Sequence, residues 1–83
     1  MPPPPPPSTT VYEVADAGTV TLSQADGILT IDAADPNPGW TVRVEVAQGI
    51  EVEASFRTET RRVDFKAEIE DGEIRIRIRD REN

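Results

Sequence analysis

Glu51 and Glu53 stand two positions apart in a run that alternates polar with apolar residues. On an extended strand that spacing sets both carboxylates on one face, about 7 Å apart. Such a separation is near the one a glycosidase needs between its two carboxylates. An open sheet face, however, supplies neither burial to push one acid away from the other nor a cleft for a sugar, so the pair reads as solvated charge. A second group, Asp32, Asp35 and Asn37, surrounds a proline corner and offers oxygens to calcium. Asp and Asn also gather in turns because their side chains bond the local backbone, and the spacing is not that of an EF-hand. The third group is basic: Arg75, Arg77 and Arg79 at alternate positions, joined by Arg43, Arg62 and Lys66. In a basic protein this stripe would suggest nucleic acid, but no exposed aromatic rings are interleaved for base stacking. Cross-strand ion pairs with Glu53, Asp64 and Glu68 account for it better.

The chain has no Cys and no His. Thiol catalysis, disulfides, imidazole chemistry and the usual zinc and haem sites are therefore excluded together. No Gly-rich phosphate loop, Ser-centred elbow or metal cluster of recognised spacing is present. The expectation is a protein without enzymatic activity, with no catalytic residue, cofactor or metal ligand to assign.

The 83 residues are enough for one small domain, 36% hydrophobic and 30% charged, which is ordinary globular composition. From Val11 onward the apolar residues recur at every second position, which is strand periodicity. Val20 and Leu22 form one such row; Leu29, Ile31 and Ala33 a second; Trp40, Val42, Val44 and Val46 a third. Ile50, Val52, Ala54 and Phe56 follow, then Val63, Phe65, Ala67 and Ile69, then Ile74, Ile76 and Ile78. With a short opening strand at Val11 to Val14, the pattern predicts an all-β domain: a small antiparallel β-sandwich or curled sheet of about seven strands joined mainly by hairpins. Trp40, Phe56 and Phe65 fall on inward rows and are expected in the core. Tyr12 is the one aromatic expected at the surface.

The turns test this pattern, because paired residues must share a face. A two-residue Asp71-Gly72 turn sets Ile69 against Ile74, Ala67 against Ile76 and Phe65 against Ile78, with Glu68 facing Arg75 and Asp64 facing Arg79. Asp26-Gly27 likewise sets Leu22 against Ile31 and Gln24 against Leu29. Around Ala47-Gln48-Gly49, a three-residue loop with Gly49 left-handed would set Val46 against Ile50 and Arg43 against Glu53. The segment Asp35-Pro36-Asn37-Pro38-Gly39 is expected to end a strand and to act as a rigid corner before Trp40. Unless the first strand or a second copy covers one, the outer sheet edges stay open.

Residues 1–10 read as a linker and residues 11–83 as the β domain. Pro2 to Pro7 cannot donate backbone hydrogen bonds and have fixed φ, so they predict a polyproline II spacer, followed by a Ser8-Thr9-Thr10 joint. A bait for proline-binding modules is the sharper alternative, but no Arg or Lys flanks the run. The net charge of −7 argues against nucleic acid and anionic membrane as partners. The charge is uneven: residues 1–56 carry one base, Arg43, against eight acids, and residues 57–83 carry eight of each. No apolar run approaches the roughly 18 residues of a spanning helix.

The runs Ala17-Gly18-Thr19-Val20-Thr21-Leu22, Asp26-Gly27-Ile28-Leu29, Pro36-Asn37-Pro38-Gly39-Trp40-Thr41-Val42 and Glu51-Val52-Glu53-Ala54-Ser55-Phe56-Arg57, with the Glu70-Asp71-Gly72 turn, resemble a small C-terminal β domain of actinobacterial membrane-anchored proteins of unknown function. The resemblance spans nearly all of residues 11–79 and rests on turn and core residues. It implies an extracytoplasmic domain that follows a membrane helix and a proline-rich linker. It carries no catalytic or binding residues. The functional expectation is a non-catalytic interaction module that binds a protein partner, or a second copy, through an edge strand or its acidic surface; the alternatives are a weak calcium-binding regulatory domain and a pure structural spacer.

Overall fold

The computed structural model describes residues 8–82, so the polyproline run at Pro2 to Pro7 lies outside the described residues. Eight strands follow one another: β1 (Ser8–Val14), β2 (Gly18–Ala25), β3 (Ile28–Pro36), β4 (Thr41–Val46), β5 (Gln48–Gly49), β6 (Glu51–Arg57), β7 (Arg61–Glu70) and β8 (Glu73–Glu82). They form two antiparallel four-stranded sheets, ordered β1-β2-β3-β5 and β4-β6-β7-β8. No helix occurs among the described residues. The architecture is an all-β sandwich of two packed layers, not one curled sheet.

The core follows the alternation. Val20 and Leu22 of β2, Leu29 of β3, Val52, Ala54 and Phe56 of β6, and Val63, Phe65 and Ala67 of β7 are all buried. Both two-residue turns take positive φ at their first residue, Asp26 at 54° and Asp71 at 53°, as a type I′ hairpin requires. The pairs they set are those the sequence predicts: Leu22 with Ile31 and Gln24 with Leu29; Ile69 with Ile74, Ala67 with Ile76 and Phe65 with Ile78.

Other expectations are corrected. Val46 does not face Ile50, nor Arg43 Glu53; the observed pairs are Arg43 with Ser55, Val44 with Ala54 and, past a bulge, Val46 with Glu53. The cause is a crossing between layers. The tip of the β4–β6 hairpin leaves its own sheet, so that Gln48 and Gly49 pair with Thr30 and Leu29 of β3 and the Ile31 N–H donates to Ala47 O at 2.8 Å. The chain then returns, and Ile50 O accepts from the Ile69 N–H at 2.9 Å. Gly49 has φ 146° in place of a left-handed helical value, and Ile50 is left 70% exposed. In β3 the register shifts between its pairs with Thr21 and Leu22, so Ala33 pairs with Thr21 and it is Ala34, opposite Val20, that packs on the core.

The proline corner is shorter than expected. β3 continues through Asp35 and Pro36, which pair with Thr19 and Gly18; β5 covers only Leu29 and Thr30, so a proline lacking its N–H sits at an open strand end without loss. The Asn37 N–H donates to Ala17 O at 2.8 Å, and the Trp40 N–H closes the next turn on Asn37 O at 3.0 Å. Trp40 is half-buried at the rim of the core. Tyr12 is not displayed: it packs on the core with its ring 6.2 Å from that of Phe65. β1 also begins at Ser8, its first three residues pairing with Gln24, Ser23 and Leu22.

Among the glycines, Gly18 has the least room for a side chain. A Cβ there would strike the Asp35 carbonyl oxygen and come within 3.0 Å of Phe56 Cε2, at φ 154°. Gly18→Ala is expected to lower stability by about 1–3 kcal/mol or more through strain alone. Phe65→Ala is expected to remove about 3–5 kcal/mol, a large share of the roughly 5–15 kcal/mol available to a domain. Urea unfolding of each variant beside the parent reads both losses.

Candidate functional site

The outer face of the β4-β6-β7-β8 sheet collects most of the residues whose chemistry the sequence makes conspicuous. Glu51 and Glu53 point from β6 toward Lys66 of β7, whose Nζ lies 3.2 Å from Glu51 Oε1 and 4.0 Å from Glu53 Oε1. A cation therefore bridges the two carboxylates where an acid–nucleophile pair would hold a sugar. On the next row, Ser55 is only 2% exposed, and its hydroxyl donates to Glu45 Oε1 at 3.2 Å. Arg62 donates from Nε to Asp64 Oδ1 at 2.8 Å. That hydrogen bond, more than the nearby Glu45, raises the pKa of the Arg62 guanidinium. These groups surround a shallow concavity of about 290 Å³, to which Arg77 and Arg79 also contribute.

Of the expected cross-strand partners, Glu53 meets Lys66, but those across the β7–β8 hairpin are in register without closing as ion pairs. Asp64 lies opposite Arg79 and Glu68 opposite Arg75. Asp64 is taken instead by Arg62 on its own strand, and Arg75 by Glu70 at 3.2 Å. Arg43 sits at the far side of the sheet on β4, three strands from the β8 arginines. Arg77 and Arg79 thus have no carboxylate within salt-bridge distance among the described residues.

Around the proline corner, the side chains of Asp32 and Asn37 make hydrogen bonds within the fold. Asp32 accepts from the Ser23 hydroxyl at 3.2 Å. The Asn37 side-chain amide donates to Asp16 O at 2.9 Å, joining the corner to the β1–β2 turn. Among the described residues no three Asp or Glu side chains stand close enough to hold a metal ion, and no helix is long and apolar enough to cross a membrane.

Arg61 is the group that sequence reading passes over. It lies on the inward parity of β7 with Val63 and Phe65, and it reaches Asp16 Oδ2 and Asp80 Oδ2, each at 2.6 Å. Its guanidinium also sits 5.1 Å from the Trp40 ring centre, within cation–π range. One side chain so ties the β1–β2 turn of one sheet to β8 of the other and to Trp40, just ahead of β4. The signal was present: a charge on an apolar row, with Asp80 continuing the row of Ile74, Ile76 and Ile78, needs a partner.

The remaining feature is the β8 edge. All ten residues of β8 pair with β7 on one side, and β8 ends its sheet, so its other side is open. The Asp71-Gly72 turn makes Glu70 and Glu73 a hydrogen-bonded pair, and such pairs alternate along an antiparallel ladder. The odd-numbered residues of β8 therefore bond to β7, while Ile74, Ile76, Ile78 and Asp80 aim their N–H and C=O groups outward. Set beside known protein families, curated proteins and solved structures, the chain finds no match in any of the three.

The Arg61 clamp leaves a mark on the pH dependence of folding. Hydrogen bonding from Arg61 holds the Asp16 carboxyl below its ordinary value of 3.8. A depressed folded pKa contributes stability that is complete above that ordinary value and is lost as pH falls through the folded one. The stability gap between the parent and Asp16→Asn is expected to be full near neutral pH and to close only in strong acid; a gap independent of pH would assign the contact no electrostatic part.

Proposed function

We propose that this chain is a non-catalytic β module that binds another protein along an exposed sheet edge, tethered through its proline run. The observation that carries this reading is β8, ten residues long and paired on one side only. Proteins blunt open edges by shortness, bulges or charge. β5 has two residues, and β4 has six with a bulge near its end. β1, the remaining edge, has seven residues; β8 is the longest edge and unbulged, is blunted only by the charges of its outer face, and leaves Ile78 43% exposed. An edge of this length suits strand addition, in which main-chain hydrogen bonds supply affinity and side-chain pockets supply selectivity. The proline run and the resemblance to extracytoplasmic actinobacterial domains support a tethered placement outside the cytoplasm.

A folded spacer without a partner is the competing role, and Ile78→Pro separates the two. The Ile78 N–H points away from β7, so proline there removes no ladder bond of the fold but denies one to an added strand. The variant is expected to keep its strand circular dichroism and its melting within a few degrees, and to lose a partner that the parent retains in cross-linking. A partner held equally by both forms, or by neither, would reject the edge.

A further inference from the structure

On the strength of that reading, we propose that β8 receives an extended acidic peptide in which carboxylates alternate with apolar residues. The two faces of the edge specify different side chains. On the outer face stand Arg75, Arg77 and Arg79; on the inner face stand Ile74 and Ile76, half-buried, and the more exposed Ile78. A strand laid along β8 brings its side chains within about 4.5–5.5 Å of these residues, and opposite charges so placed attract while like charges repel. Its outer residues must therefore be acidic and its inner ones apolar.

The charge balance of the flank supports this assignment. The acids around the concavity already have partners: Asp64 on Arg62, Glu53 near Lys66 and Glu45 on Ser55. Arg77 and Arg79 are left at its margin, next to the open edge, with no ion-pair partner among the described residues. A chain of net charge −7 thus keeps a local cationic strip where its backbone is unpaired. On the inner side of this margin Ile74 and Ile76 are half-buried against the core, while Ile78 stays 43% exposed.

Two other occupants fit less well. A second copy paired antiparallel through its own β8 would set arginine beside arginine along the outer face, which is destabilising. Single-stranded nucleic acid would match the arginines, but the strip has acids interleaved behind it and neither Tyr12 nor Trp40 is free for base stacking.

The probe is a capped nonapeptide in which valine and glutamate alternate, added to the full chain while backbone amide exchange and chemical shifts are followed. Expected are slowed exchange at the Ile74, Ile76 and Ile78 amides, weaker binding as salt is raised, and at least about a tenfold loss of affinity in Arg77→Glu/Arg79→Glu. The same peptide with lysine for glutamate should not bind, nor should one N-methylated on the amides that face β8. Equal binding of the N-methylated form would reduce the contact to diffuse charge and overturn the proposal, as would preference for a single-stranded oligonucleotide. Protection at β1 or β4 in place of β8 would overturn this site. A failure of the acidic peptide to bind at all overturns the partner chemistry, whereas edge recognition stands or falls on Ile78→Pro. Because these variants alter exposed arginines, unchanged thermal melting checks that any loss is local.

Discussion

The inner row of β7, Val63, Phe65 and Ala67, is the constraint on which the rest of the structure depends. These three side chains are fully buried, and β7 pairs along its whole length with β8 and along most of it with β6. Because successive side chains on a strand point to opposite faces, burying this row obliges Arg62, Asp64 and Lys66 to face outward. The charged face opposite the core is a geometric consequence of the core. So is the direction of the free backbone groups on β8, since one hairpin sets both face and hydrogen-bond alternation.

Small domains bury a limited fraction of their surface, and this one joins its layers by polar devices as well as by apolar contact. At one end Arg61 gathers Asp16, Asp80 and the Trp40 ring. Elsewhere the β4–β6 hairpin tip crosses from one sheet to the other and bonds to β3 before returning to β7. This crossing also shapes the edges: it fills the margin beside β3 with a two-residue strand and leaves β4 short and bulged. β8, joined to β7 by a two-residue hairpin, keeps an unbroken ladder and hence an unbroken free edge.

The distribution of charge follows the same logic. Acids and bases in the middle of the sheet find each other along or across neighbouring strands, as Arg62 does with Asp64 and Lys66 with Glu51. At the margin a strand has neighbours on one side only, so the β8 arginines have half as many possible partners. When Asp64 is taken by Arg62, no described residue further out replaces it for Arg79. An edge of a mixed-charge sheet can thus carry an uncompensated strip even on an acidic protein, and that strip both discourages pairing of identical copies and suits an acidic strand.

The sequence by itself determined the fold class, the face of nearly every residue from Val52 to Ile78, and the register of the two Asp-Gly hairpins. The reason is locality: a period of two and a turn that demands positive φ are set by adjacent residues. Tertiary structure decided what depends on the other layer. Whether Gly49 closes a local loop or crosses to β3 turns on what the opposite sheet offers, and so the register of β4 shifted by two residues, its face being kept at Val42 and Val44 but not past the bulge, where Val46 pairs with Glu53. Ala33 and Ala34 exchanged roles at a bulge that no local residue dictates, and Tyr12 was drawn inward because Phe65 lies across from it. The same holds for charge. Opposed positions were legible in the hairpin, but which carboxylate an arginine takes depends on side-chain reach and on competition among all neighbours, which only the folded surface settles.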